Sequence, residues 1–259
     1  MSFKRTGPRP HRGLGLICGL LLATHVQAQS DEFQVYTGDI AAPGVVNLTL
    51  HNIYIADGVD TARYPGAIIA DHSLTGGSEW AFGLAPWLEF GAYVPIYTLA
   101  AGHAHFDGAE LRAFFVTPDA DHRAWIYGLN LSLDFSTPRW EDAARSAEIR
   151  PVLGWATGPV RLTVNPVLES GFNGFSRLEF SPQARIEYAL SKTWTAAVED
   201  YSSFGPLRHF RSADQQEHQV FGVADWQHGG FTIESGVGLG LTRASDRLTW
   251  KLMISHDII

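Results

Sequence analysis

The stretch "WIYGLNLSLDF", residues 125–135, alternates with period two and without a break. Trp125, Tyr127, Leu129, Leu131, Leu133 and Phe135 share one face, and Ile126, Gly128, Asn130, Ser132 and Asp134 share the other. The first face is leucine in its middle and aromatic at its ends. A strand that faces hydrocarbon needs that distribution, because aromatic rings favour the headgroup level on either side of an apolar band. Asn130, Ser132 and Asp134 then face a polar interior. A soluble sandwich would also alternate, but it would not require aromatic ends.

The pattern recurs. Period-two runs cover residues 45–56, 77–85, 88–98, 108–117, 123–135, 147–156, 159–169, 177–189, 193–202, 216–227, 230–241 and 247–258. Most are 9 to 13 residues long, near the ~9–11 of a tilted membrane-spanning strand and well above the ~5–6 of soluble strands. Connections alternate between long ("DGVDTARYPGAIIADHSLTG", "AAGHAHFD", "STPRWEDAARS", "SSFGPLRHFRSADQQ") and short ("PW", "PDADH", "TG", "SK", "HGG"). Short turns at one rim and longer loops at the other belong to bacterial barrels. The fold expected is all-β: an antiparallel transmembrane β-barrel of about twelve strands, with both termini at the short-turn rim. Pro151 and Pro182 fall at strand centres, where a missing amide donor predicts bulges. Residues 216–227 carry apolar residues on both faces and fit the pattern poorly.

Upstream, Lys4, Arg5, Arg9 and Arg12 precede the apolar run "GLGLICGLLLA" at residues 13–23. That is the order of an export signal, and the run is too short to span a bilayer. Residues 1–28 are read as the signal, with cleavage after Ala28, and 29–259 as the barrel. Cys18 follows the bulky Ile17, which argues against lipid attachment, and the mature chain has no cysteine for disulfide or thiol chemistry. Cleavage removes four cations and no acid, taking the formal net charge from −8 to −12. That excludes nucleic acid as a partner. Partners expected instead are outer-membrane lipid, the barrel-assembly machinery and a small-molecule solute.

The inward faces are rich in both charges. The candidate lumen track is Arg112, Glu148, Arg150, Arg161, Asn165, Glu169, Arg177, Glu179, Arg185 and Glu187, with Glu89, Glu110, Glu199, Glu234 and Lys251 also inward. Such residues either close a narrow barrel by cross-strand pairing or select solutes as charged rings do. The arginine wall of residues 150, 161, 177 and 185 would favour carboxylate-bearing solutes. Twelve strands imply a thin or gated path rather than a wide one. Signals for chemistry are sparse: there is no G-x-S-x-G, and no metal or other cofactor is called for. His103 and His105 have metal-ligand spacing but sit in an expected loop as a chance pair. An acyl hydrolase would need a Ser–His pair on the lipid-facing rim, and no such pair stands out.

Several segments carry a resemblance. "DEFQVYTGDIAAPGVVNLTLHNIYIADG", "EIRPVLGW", "NPVL" and "SDRLTWKLMISHD" resemble a group of uncharacterised proteobacterial outer-membrane barrels. More remotely, the chain is similar to MetA-pathway-like barrels linked to phenol and other aromatic degradation. The resemblance implies an outer-membrane location and a narrow channel or transporter for an organic acid or aromatic compound. A lipid-acting enzyme and a plugged structural or receptor barrel are the alternatives. Barrels of this kind commonly end in an aromatic residue, whereas this chain ends Ile258-Ile259.

Overall fold

A computed structural model describes residues 33–174 and 177–259. The proposed signal, residues 1–28, lies outside them. The strand segments are β1 (Val46–Asp57), β2 (Leu74–Ala85), β3 (Leu88–Ala100), β4 (His103–Val116), β5 (Trp125–Ser136), β6 (Arg145–Thr157), β7 (Val160–Asn165), β8 (Leu168–Ser170), β9 (Glu179–Phe180), β10 (Gln183–Ala189), β11 (Trp194–Ser203), β12 (Gly205–Pro206), β13 (Glu217–His228), β14 (Phe231–Gly240) and β15 (Leu248–Asp257). Three strands are interrupted, so β7 with β8, β9 with β10, and β11 with β12 each form one stave. The fifteen segments therefore make twelve antiparallel staves. β1 pairs with β15 and β6 with β7, which closes the ring of described strands.

Burial is inverted relative to a soluble protein. Leu131 is 39% exposed, while Asn130 beside it is 1% exposed. Trp125, Tyr127, Leu133, Phe135, Leu153, Trp155 and Trp250 all stand outward. Arg112, Arg150, Arg185, Glu79, Glu89, Glu199 and Lys251 are buried inside. The barrel thus offers hydrocarbon an apolar belt and keeps its charges in the lumen.

One rim carries the connections 58–73, 137–144, 171–178 and 241–247, and the crossing from β12 to β13. The other carries 86–87, 117–124, 158–159, 190–193 and 229–230. The connection expected to be long at "AAGHAHFD" is instead the two-residue turn Ala101–Gly102, both with positive φ (49° and 78°). A tight turn of that handedness continues the twist of its strands. β3 and β4 therefore run on past the belt, and His103 and His105 lie on a strand.

The prolines do not make bulges. Leu153 lies opposite Val164 and Ile149 opposite Leu168, so Pro151 faces Pro166 in unbroken register. Gln183 lies opposite Asn165 and Phe180 opposite Leu168, so Pro166 also faces Pro182. Three adjacent staves share one proline row. The missing amides interrupt the ladder there and split two staves into β7/β8 and β9/β10.

Candidate functional site

The lumen is not empty. Residues 33–45 precede β1; residues 33–41 run inside the ring as a strap, and Gly44 and Val45 already pair with Gly83 in the wall. Phe33 packs edge-on against Tyr201 (centroids 5.0 Å apart) and tilted against Phe221 (5.1 Å). Ile53, Ile55, Ala197 and Val223 complete that apolar pocket, on the long-loop side. Tyr36 packs edge-on against Phe114 (5.3 Å), in a second pocket of Val116, Ile126 and Val152 nearer the short turns. These pockets explain the poor alternation of residues 216–227: Phe221 and Val223 face inward because the strap needs them.

Between the pockets, wall side chains hold the strap by its backbone. Asn165 accepts from the Tyr36 amide (2.8 Å) and donates to the Tyr36 carbonyl (3.1 Å), as a neighbouring strand would. Arg150 Nη1 donates to the Gln34 carbonyl (3.1 Å), and Lys251 Nζ to the Phe33 carbonyl (3.1 Å). Glu89 Oε2 accepts from the Ala41 amide (2.5 Å). Two glycines let the strap pass. Gly38 has φ 101°, and a Cβ there would meet Ile126 at 2.7 Å. A Cβ on Gly83 would stand 2.1 Å from the Ala42 carbonyl oxygen.

The charges form three groups. Arg112 binds Glu79 and Glu89 (2.7 Å to Glu89), and His51 adds a contact to Glu79 (3.1 Å). Arg150 makes two bonds to Glu148 (2.7 and 3.0 Å). Arg185 meets Glu187 (2.7 Å), Glu234 (3.0 Å), Glu199 and Asp225, while Lys251 meets Glu199, Glu234 (2.5 Å) and the Tyr201 hydroxyl (3.2 Å). Every arginine in these groups has carboxylate partners, so the inward wall is neutralised rather than a bare positive track. Two guanidinium groups lie over the Tyr36 ring, Arg150 at 4.5 Å and Arg112 at 5.4 Å from its centroid. Its hydroxyl is 3.4 Å from that of Tyr93.

Of the predicted track, Arg112, Glu148, Arg150, Asn165, Arg185 and Glu187 converge in the lumen as described. Arg161 reaches Asp39 of the strap (3.5 Å) and Glu187 (3.7 Å). Glu169 opposes Glu148 and Glu179 in register, and Glu179 pairs with Arg211 (3.1 Å). Arg177 departs from expectation: it lies exposed in the 171–178 loop, because β9 begins only at Glu179. Sequence reasoning missed Phe33, Gln34 and Tyr36, which look like a polar leader before the first strand. It also missed Glu79, Tyr201 and Asp225. The signal available was the cluster of inward apolar residues Phe114, Ile126, Val152 and Phe221, which a water-filled lumen would not explain.

Over the long-loop rim, residues 58–73 fold back across the opening. The Gly58 amide donates to Asp71 (2.8 Å), the Val59 amide to Asp246 (2.8 Å), and the Ile68 amide to the Arg139 carbonyl (2.9 Å). The Gly58 amide and His72 hold the Asp71 carboxyl below its ordinary range. Burial pushes the Asp246 carboxyl up, with Arg63 opposing it. Burial and the nearby acids Glu141, Asp142 and Asp107 push the Tyr64 phenol up. Asp107 itself is 0% exposed, and neither of its carboxylate oxygens has a hydrogen-bond partner.

No group of three His, Cys, Asp or Glu among the described residues is placed to hold a metal ion. The sequence matches no protein-family model and no curated relative. Among solved structures, the fold is similar to the COG4313 outer membrane channel from Pseudomonas putida F1, with TM-score 0.59 and 10% identity over 88% of this chain and 100% of that one. A bacterial polysaccharide outer membrane secretin (TM-score 0.44, 8% identity, 85% of this chain, 100% of that one) and LpxR from Salmonella typhimurium (0.42, 8%, 81% and 99%) are more distant in shape. At these identities the likeness concerns the fold.

Proposed function

We propose that this chain is a bacterial outer-membrane barrel that passes a small aromatic solute through a lumen gated by its own N-terminal strap. The rim with long loops then faces outward, and the short turns, the junction of strap and β1 and the C-terminal strand end face the periplasm. The observation that carries the reading is the seat of Tyr36. A phenol ring is held by the guanidinium groups of Arg112 and Arg150, with its hydroxyl beside Tyr93. When the strap withdraws, that seat is left with two guanidinium faces, an aromatic edge from Phe114 and a phenol partner. A planar aromatic solute replaces each of those contacts. The carboxylate-selective version of the arginine wall is weaker, since Arg112, Arg150 and Arg185 already carry acids. A barrel that stays shut, serving as scaffold or receptor, is favoured by the burial of Phe33 and Tyr36.

Planar-bilayer recording and liposome flux separate the two. With residues 33–42 removed, ion conductance and uptake of phenolic solutes should both rise well above those of the intact chain. A strapless barrel that migrates as folded, yet conducts no better and takes up no phenol, would leave the shut-barrel reading standing. Outer-membrane fractionation and heat-modifiable migration test the location.

A further inference from the structure

A second polar cluster lies on the opposite side of the wall, where hydrocarbon-facing residues belong. On β11, the lumen side is taken by Ala197, Glu199 and Tyr201, so Asp200 and Ser202 face outward. On β13, Gln219, Phe221 and Val223 face inward, so His218 faces outward. Ser202 and His218 are direct cross-strand partners. Ser202 Oγ is 2.8 Å from His218 Nδ1. On its far side, His218 Nε2 is 3.0 Å from Gln216 Oε1.

The hydrogen bonds fix the tautomer. The Gln216 side-chain amide nitrogen donates to the Arg211 carbonyl (2.7 Å), which turns Oε1 toward His218. An amide oxygen only accepts, so His218 Nε2 carries the proton and Nδ1 presents its lone pair to Ser202. A serine hydroxyl facing an unprotonated imidazole, with that imidazole oriented by a third group, is the arrangement of an activated nucleophile. Asp200 Oδ2, also 2.8 Å from Ser202 Oγ, is a second acceptor that competes for the same proton.

The surroundings select the substrate. Phe204 meets the His218 ring edge-on (5.2 Å) and packs with Phe210 (5.3 Å) and Phe180 (5.9 Å), forming an aromatic ledge at the long-loop end of the belt. Val198, Leu239 and Leu241 stand exposed on the same outer surface. From this geometry we infer that Ser202, His218 and Gln216 form an acyl-transfer site for carboxylic esters of membrane lipids. Ser202 Oγ adds to the ester carbonyl carbon as its proton passes to His218 Nδ1. The adduct breaks the bond to the alcohol oxygen, which leaves with that proton. Water then attacks the acyl-serine by the same route, releasing a carboxylic acid and restoring the hydroxyl.

The site is slow by construction. Ser202 is only 9% exposed, and the backbone amides of Ser202 and Phe204 are already bonded to the Pro182 and Phe180 carbonyls (3.1 and 3.0 Å). Neither amide is therefore free to stabilise an oxyanion. Covalent capture is the sensitive readout. Folded barrel in mixed micelles is treated with a long-chain alkyl fluorophosphonate and mapped by mass spectrometry. The adduct should fall on Ser202 and disappear in Ser202→Ala. His218→Asn should slow its formation about 100-fold or more, the usual contribution of a general base. Gln216→Ala, which keeps both members of the pair, should slow labelling if His218→Asn does not fold. Removal of the strap should leave labelling unchanged, so this inference stands or falls apart from the channel reading. A folded wild type with no adduct on Ser202, or folded variants at His218 or Gln216 that label at the wild-type rate, would overturn it.

Discussion

Removing the Tyr36 ring opens a cavity among Phe114, Val116, Ala120, Ile126 and Val152, against which Ile40 also packs. Tyr36→Ala should weaken strap docking by about 3–5 kcal/mol, the range for a large buried aromatic. Bilayer recordings should show it as frequent openings where the wild type is quiet. Leu131 tests the other side of the wall. Its alternation with Asn130 is legible in the sequence, and Leu131→Arg should cost about 2–4 kcal/mol near the membrane midplane, measured by reversible unfolding in lipid. Asn130 is not a benign place for the same change, because it opposes Arg150 in a packed interior. Asp107 shows what sequence could not reveal. It looks like a loop acid, yet it is buried with neither oxygen paired. Asp107→Leu replaces both unpaired oxygens with apolar atoms and should raise stability by about 1–3 kcal/mol, seen as a higher temperature of heat modification.

At the level of elements, periodicity located every stave, because a wall between lipid and a polar interior imposes period two on each strand. It missed where strands outrun the belt, since beyond the lipid the outward face is no longer obliged to be apolar. It also gave the prolines the wrong consequence, because their alignment depends on registers that only the closed ring fixes. The aligned row predicts a local weakness. Amides around 165–168 and 180–183 should exchange with deuterium faster than those along the β1–β15 seam, where pairing runs from Asn47–Asp257 to Ile55–Thr249 without interruption. Equal protection in the two regions would contradict it. The rim loop gives a pH prediction. The Asp71 carboxyl is held below its unfolded value, so its contribution is present above the ordinary carboxylate range. That contribution is lost as pH falls through the lowered value. Limited proteolysis of residues 58–73 should therefore accelerate in acid, and Asp71→Asn should reduce that acceleration, leaving the part of the pH dependence due to Asp246.

For the molecule as a whole, the sequence reports the wall and conceals the contents. Strands announce themselves by repetition, while a strap has none: Phe33 and Tyr36 become meaningful only when Tyr201, Phe221 and Phe114 are brought around them by the ring. That enclosure has a consequence for how the protein is made. The strap joins directly to β1, and β1 is one side of the seam that closes the ring. At that seam the Ile258 amide donates to the Val46 carbonyl (2.8 Å) and the Val46 amide to the Ile259 carbonyl (3.0 Å), beside the strap's exit. Winding the wall around a strap already in place requires that seam to zip last. Threading a finished ring requires the strap to enter with its Phe33 end leading, past Gly83, against which the Ala41–Ala42 backbone finally packs. The first order makes the strap a mandrel for its own barrel, and shortening it would then slow folding as well as open the lumen.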